Sequence, residues 1–431
     1  MDQETSSTES AFAGEAQERL TARLCQTLKA REKESNEKET STIAESIMMD
    51  AVGARATDIH IDPMAGRFRV RFRIDGVIVD AAELEHADGL QLGNQFRAMA
   101  HLDPVAANGP EGGRFSYQLD EVSLDVRVTV APCIAGDKLA IRLLAPERVS
   151  QDVSELGLDD GSLEMLESWL AGIGGMLTVA GPTGSGKTTT MYALLHQLKM
   201  TDRHVITLED PVEYGIPGIN QMPVNPERGM DFSDGAQAML RLDPDFLVIG
   251  ELTEPGSAQA AVNAAAGGRA TMATIHSRDA VDTVTVLRNF GLDDFEVASN
   301  LQLVVGQRLV RRLCPECREQ RKPNEQERRW LKSLQLDEPK EVWAAAGCAA
   351  CNHIGYKGRI GIFELWRPDD EDFSLILEHA GAHKIRRALI KRGHRFLLDD
   401  GLAKADEGVT SLSELQSLSA LGTSVAASPS N

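Results

Sequence analysis

Aromatic residues are scarce in this sequence. Four tryptophans and four tyrosines among 431 residues are too few for a platform on which single-stranded nucleic acid stacks. Positive charge is in deficit as well. Forty-five Lys and Arg stand against sixty-five Asp and Glu, a formal net charge of −20. That balance argues against broad binding to nucleic acid or anionic lipid, while leaving room for a local basic groove. No apolar run approaches the ~20 residues of a membrane span; the stretch Gly172 to Gly181 is apolar but far too short. The opening Met1-Asp-Gln-Glu-Thr-Ser-Ser7 is acidic and polar, without the apolar centre of a secretory signal. A cytoplasmic protein is expected. Cysteine is sparse at six, four of them in two C-x-x-C pairs, with Cys25 and Cys133 alone. In such a protein the pairs read as metal ligands rather than as a disulfide framework.

What is present is an ordinary globular mix, 42% hydrophobic and 26% charged, long enough for two or three domains. No internal repeat stands out. Residues 1–40 are rich in Glu, Ser, Thr and Lys, and Leu20, Leu24 and Leu28 recur at a spacing of four. That spacing predicts a short amphipathic helix around 15–31, either a mobile tail or a helix that orders on a partner. An α+β domain is expected over 41–146. Phe68–Ile74, Ser123–Val130 and Lys138–Leu144 alternate apolar residues with others, often arginine, at period two, the pattern of half-buried strands. From 147 to 431 the pattern becomes α/β. Strands are predicted at Met176–Ala180, His204–Leu208, Phe246–Ile249 and Ala270–Ile275, with helices between them, including one over Asp234–Leu242. Alternating βα units imply a mostly parallel sheet with ligands at the carboxyl ends of its strands. The last twenty residues, rich in Ser and Ala, are expected to fray.

The strand at 176–180 runs into Gly181-Pro182-Thr183-Gly184-Ser185-Gly186-Lys187-Thr188-Thr189 and then a helix. This is the phosphate-binding loop pattern. Its glycines let backbone N–H groups turn inward around phosphates, Lys187 reaches the β/γ-phosphates, and the Thr188 hydroxyl suits Mg²⁺. The helix that follows adds its positive N-terminal end. ATP with Mg²⁺ is the expected ligand pair. Hydrolysis further needs a group that orients water. Glu251 is the candidate, delivered at the end of the apolar strand Asp245–Gly250. Glu209 and Asp210, ending another strand before Pro211, are expected near the metal. His276 ends a fourth strand and is placed to sense the γ-phosphate or to bridge to Glu251.

Cys314-Pro-Glu-Cys317 and Cys348-Ala-Ala-Cys351 are separated by thirty residues. Two such pairs supply the tetrahedral S₄ set that suits Zn²⁺, with an iron–sulfur cluster or a redox pair as the alternatives. A site closed by four protein ligands reads as structural.

Taken in order, these pieces resemble the type II secretion and type IV pilus assembly ATPases. The resemblance spans roughly 42–420. It includes Ala56–Pro63, Arg71–Gly76, Gly112–Arg114, Asp125–Val128, Gly136–Arg142 and the phosphate loop. It continues through the acidic box Thr207–Glu213, Leu240–Asp245 with Gly250-Glu251, the His box Ala273–Ser277, and Gln307–Cys314. It implies a RecA-like motor preceded by a smaller PAS-like α+β domain, with a zinc module over 314–351 held by the four cysteines. It also implies a ring hexamer, peripheral to the inner membrane through a platform protein, that drives secretion or pilus assembly. Arginines of the preceding domain are then expected to reach the phosphates and act in catalysis. Arg114 and Arg127 lead, with Arg142 third. The chain departs from the family at Gly250-Glu-Leu-Thr-Glu-Pro-Gly-Ser-Ala258, where Thr253, Glu254 and Gly256 replace Arg, Asp and Glu, and at Ala266-Gly-Gly268. These departures keep open a weakly hydrolysing or non-hydrolysing nucleotide switch. A retraction motor is opposed by the four cysteines, and a DNA-translocating motor by the acidic charge.

Overall fold

A computed structural model describes residues 42–103, 109–119, 122–144, 152–172, 174–198 and 202–419. The expected helix at 15–31 and the linker at Ala145-Pro146 lie outside them. Two compact units form. One comprises the described residues up to Val149 together with Ala346–Lys357; the other comprises Ser150–Ala345 and Gly358 onward.

In the first unit, β1 (Ala56–Met64), β2 (Arg67–Ile74), β3 (Val77–Glu85), β4 (Glu111–Leu119), β5 (Val122–Cys133) and β6 (Gly136–Leu144) make one sheet. Its order is β3-β2-β1-β6-β5-β4, antiparallel throughout. The alternation in β2 has the consequence period two dictates. Phe68, Val70, Phe72 and Ile74 are buried, against the helices Ile43–Gly53 and His86–Met99 that supply Ile47, Met48, Leu92 and Phe96. Arg67, Arg69, Arg71 and Arg73 point the other way, and each pairs with an acid on a neighbouring strand: Glu83, Asp80, Asp62 and Asp58. The first helix starts at a capping box in which Thr42 and Glu45 exchange side-chain and backbone bonds.

The second unit is built on β7 (Gly175–Ala180), β8 (Val205–Glu209), β9 (Asn220–Pro223), β10 (Phe246–Leu252), β11 (Ala270–Ile275) and β12 (Leu301–Leu313). These run parallel in the order β12-β7-β11-β10-β8-β9. Every residue of β7, β8 and β11 is buried, as expected of parallel strands covered by helices on both faces. The helices include Lys187–Leu198, Phe232–Met239 and Pro255–Ala266. Register brings the carboxyl ends together: Ala180 of β7 lies beside Ile275 of β11 and Gly306 of β12.

After β12 the chain leaves the sheet. β13 (Arg318–Arg321) and β14 (Val342–Ala345) form a separate antiparallel pair around the helix Glu325–Ser333, and β15 (Tyr356–Trp366) returns beside β12. The fraying expected of the last twenty residues is corrected for Leu412–Ser419, and the residues that follow lie outside the described ones. Leu412–Ser419 is a helix with Leu415 fully buried, because Glu414 accepts bonds from the Arg311 main chain and guanidinium. No helix among the described residues is long and apolar enough to cross a membrane.

Candidate functional site

Residues 181–186 join β7 to the helix Lys187–Leu198. Gly184 and Gly186 adopt φ of +77° and +90°, a region other residues enter at a cost, which lets the loop fold back on itself. Gly181 is fixed by a different constraint, since a Cβ there would lie 2.6 Å from the Gln307 carbonyl oxygen. Lys187 is 8% exposed. Its ammonium donates to the Gly181 carbonyl at 2.9 Å and the Pro182 carbonyl at 3.2 Å, and lies 3.4 Å from His276 Nδ1. Burial lowers its pKa, opposed by the charge of Glu251 and reinforced by the nearby Arg308. Thr183, Gly184 and Thr188 face outward.

Glu251 follows the Phe246–Gly250 run of β10, and His276 follows β11. The two side chains meet, His276 Nε2 against Glu251 Oε1. Thr274 Oγ1 donates to the Gly250 carbonyl at 2.5 Å and holds the two strand ends together. Lys187, His276 and Glu251 thus form one chain of contacts at the carboxyl edge of three adjacent strands.

The acidic pair divides. Glu209 is 2% exposed, and its oxygens accept from Thr207 Oγ1 at 2.5 Å, from Gln221 Nε2 at 3.1 Å and from the Tyr192 hydroxyl. Tyr192 also accepts from the Glu213 backbone N–H at 2.9 Å. Burial, and then Glu209, raise the Tyr192 pKa far above that of an ordinary phenol. Asp210, next in sequence, is exposed. Glu209 therefore anchors the turn that presents Asp210.

The altered segment after Glu251 has its own packing. Glu254 accepts from the Ser233 N–H at 3.2 Å, and a Cβ on Gly256 would come within 2.2 Å of Ser233 Oγ. Glycine at 256 is what the neighbouring helix Phe232–Met239 permits. Thr253 is exposed.

In the first unit Arg114 stands opposite Arg127, and Arg127 opposite Arg142, across three neighbouring strands. Arg142 bonds Asp58 at 3.1 Å, whereas Arg114 has no ion pair among the described residues. Like charges set directly opposite each other are unfavourable.

The four cysteines converge because β13 begins just after Cys317 and β14 ends just before Cys348, and the two strands pair antiparallel, Arg318 opposite Ala345. The four sulfurs lie within 4.8 Å of one another, and Cys348 and Cys351 Sγ are 3.8 Å apart. Zn–S bonds of ~2.3 Å would place tetrahedral sulfurs about 3.8 Å apart, so the donor set fits zinc. Backbone N–H groups of Cys348 and Gly355 point at Cys351 Sγ, both at 3.2 Å, which favours the thiolate that a metal requires.

Sequence reasoning missed Tyr192, Gln221 and the roles of Gln307 and Arg308. The last two carried a signal, two polar residues directly after the apolar run Leu303–Gly306, where each must find a partner.

The profile of the Type II/IV secretion system protein family matches residues 32–417. The chain is 37% identical over 370 residues to the type II secretion system ATPase E of Vibrio cholerae, covering 86% of this chain and 73% of that protein. It is 35% identical over 374 residues to the type IV pilus assembly ATPase PilB of Pseudomonas aeruginosa, covering 86% and 65%. Among solved structures, the ATPase DotB of Legionella pneumophila superposes with a TM-score of 0.66 at 18% identity, covering 89% of this chain and 98% of that one. The pilus retraction motor PilT with bound ADP gives 0.53 at 24%, covering 91% and 98%. At these identities the two structures speak for the fold.

Proposed function

The chain belongs to the type II/IV secretion system protein family, as an ATPase of the secretion and pilus-assembly kind, and from that premise we propose which residues carry its chemistry. The observation that carries the reading is the continuous contact from Lys187 through His276 to Glu251. A lysine, an imidazole and a carboxylate gathered at the mouth of a phosphate loop are what phosphoryl transfer to water requires.

ATP lies with its phosphates against the backbone N–H groups of Gly181–Thr189. Lys187 exchanges the Gly181 and Pro182 carbonyls for the β/γ-phosphates, which gives a desolvated ammonium charged oxygens in place of neutral ones. The Thr188 hydroxyl and Asp210, both exposed, would hold Mg²⁺, which would neutralise charge on the phosphates. Glu251 orients the attacking water, and His276 keeps Glu251 and Lys187 in register. Arg114 and Arg127 supply further positive charge to the phosphates; their placement opposite each other is supported by the relief that an anion would bring. Cys314, Cys317, Cys348 and Cys351, whose sulfurs lie within 4.8 Å of one another, would hold a structural Zn²⁺.

The protein works as a ring, a hexamer in this reading, at the cytoplasmic face of the inner membrane, bound there through a platform protein. Its turnover drives type II pseudopilus or type IV pilus assembly. Specific nucleic-acid binding is not part of this role, consistent with the net charge of −20. Phosphate release by the purified full-length chain tests the reading against Lys187→Ala and Glu251→Gln. Loss of on the order of 10²-fold or more in either variant is expected. Wild-type release no faster than that of the variants would favour the alternative of a nucleotide switch, for which the substitutions at Thr253 and Gly268 are the motive.

A further inference from the structure

β12 runs beside β7 until Gly306 pairs with Ala180, so the next two residues of β12 emerge beneath the phosphate loop. Gln307 is 1% exposed and donates from Nε2 to the Ser185 carbonyl within that loop, at 2.7 Å. Arg308 is 5% exposed and turns to the other side, donating from Nη2 to the Arg278 carbonyl at 2.6 Å. Arg278 lies two residues beyond His276. Consecutive side chains of one strand therefore grip the two loops whose relative placement sets the Lys187–His276–Glu251 contacts.

Arg308 is an expensive way to make one bond. Its Nε and Nη1 are buried without a partner among the described residues. Its charge is balanced at a distance by Asp279 and by Glu364, a carboxylate that is itself fully enclosed and whose pKa burial raises. Burying a guanidinium so incompletely bonded disfavours the fold relative to an apolar residue of similar volume. The bond it does make goes to the segment that carries His276. The other bonds of Arg278 go to Asp282, close by in sequence, and Arg386 bonds Asp279 at 2.5 Å, so Arg308 is the tie from β12 to this segment.

We propose that Gln307 and Arg308 are positioning residues with divided roles, Gln307 holding the phosphate loop in its binding form and Arg308 holding the His276 loop in its hydrolytic form. The proposal rests on the ATPase reading above. Because both side chains are buried and bonded to loop carbonyls, each acts through the loop it grips, and displacing a catalytic group by about 1 Å costs as much as 10²-fold in rate. The two changes then separate in steady-state kinetics. In the full chain, Gln307→Leu changes mainly KM for ATP, raising it several-fold, while Arg308→Gln changes mainly kcat, lowering it about tenfold. Arg308→Lys keeps the charge that faces Asp279 and Glu364 but loses the planar fork, so it recovers part of kcat and most of the melting temperature.

Phosphate-release kinetics and melting curves on the three variants decide it. Parallel changes of kcat and KM in the Gln307 and Arg308 variants would overturn the division of roles. So would a folded Arg308→Gln or Arg308→Lys protein with wild-type kcat, and so would failure of both to fold, which would show Arg308 to be structural only. A wild-type chain without turnover would strike at the ATPase reading instead, and Lys187→Ala run alongside makes that case recognisable.

Discussion

The Lys187 ammonium lies 3.4 Å from Nδ1 of His276. An ammonium can only donate, so Nδ1 must accept, and the imidazole proton then sits on Nε2, where Glu251 receives it. One tautomer satisfies both neighbours, so the geometry makes His276 a link that orients Glu251 against Lys187. His276→Ala should lower kcat by about 10²-fold, the loss typical of a displaced catalytic base, while nucleotide affinity measured by ADP titration changes far less. An equal loss of affinity would place His276 in binding instead.

Glu209 and Asp210 differ in a way that a metal titration can read. Tyr192→Phe removes one donor from the buried Glu209 and leaves the Glu213 N–H without its acceptor. A cost of about 1–3 kcal/mol to folding follows from such unpaired groups. Since the same turn carries Asp210, the variant should need more Mg²⁺ for half-maximal turnover, whereas Asp210→Asn should raise the Mg²⁺ requirement with little change in melting temperature.

Arg114 and Arg127 face each other in register, so removing one relieves repulsion with the other. Arg114→Ala should therefore fold at least as well as the wild type in the absence of nucleotide, since Arg114 has no ion pair to lose among the described residues. Its kcat should fall by on the order of 10²-fold if the charge serves the transition state. Wild-type turnover in Arg114→Ala would return these arginines to a solvated sheet face.

About one zinc per chain is expected by elemental analysis, from a closed S₄ set. Cys351→Ser should abolish it and lower the melting temperature, because Cys351 is the sulfur that two backbone N–H groups approach. Iron in place of zinc, or a metal content well below one, would contradict the assignment.

Asp62 reports on the sheet of the first unit. Burial would raise its pKa, but hydrogen bonds from Lys138 and Arg71 outweigh that and hold it below 3.8. A depressed carboxylate pKa contributes stability that is fully present above the unfolded-state value and is lost as pH falls through the folded one. Asp62→Asn should destabilise the chain by about 1–3 kcal/mol at neutral pH. The gap between variant and wild type should close on acidification below 3.8. A gap independent of pH would mean that the side chain matters for packing rather than charge.

Local chemistry made much of this protein legible in its sequence. The phosphate loop needs a fixed spacing of glycines, a lysine and a hydroxyl, and that pattern is contiguous. The half-buried strands of the first unit declare themselves by alternation, and β2 shows it residue by residue from Phe68 to Ile74. Each C-x-x-C pair is likewise local. The carboxylates were harder, because neighbours in sequence do not share an environment: Glu209 and Asp210 read alike, and only the arrival of Tyr192 and Gln221 from elsewhere in the chain separates a buried anchor from an exposed carboxylate.

The sequence by itself thus determined that a phosphate-loop pattern, a carboxylate at a strand end, an imidazole and four thiols are present, since each is encoded within a few residues. Only the tertiary structure decided which of them meet. Strand order brings β7, β10 and β11 together so that Lys187, His276 and Glu251 touch, and the β13–β14 pairing carries Cys314 and Cys317 to Cys348 and Cys351 across the intervening chain. It also set Gln307 and Arg308 beneath two loops far away in sequence. Contacts of that kind depend on register and burial across distant segments, which short-range patterns do not record.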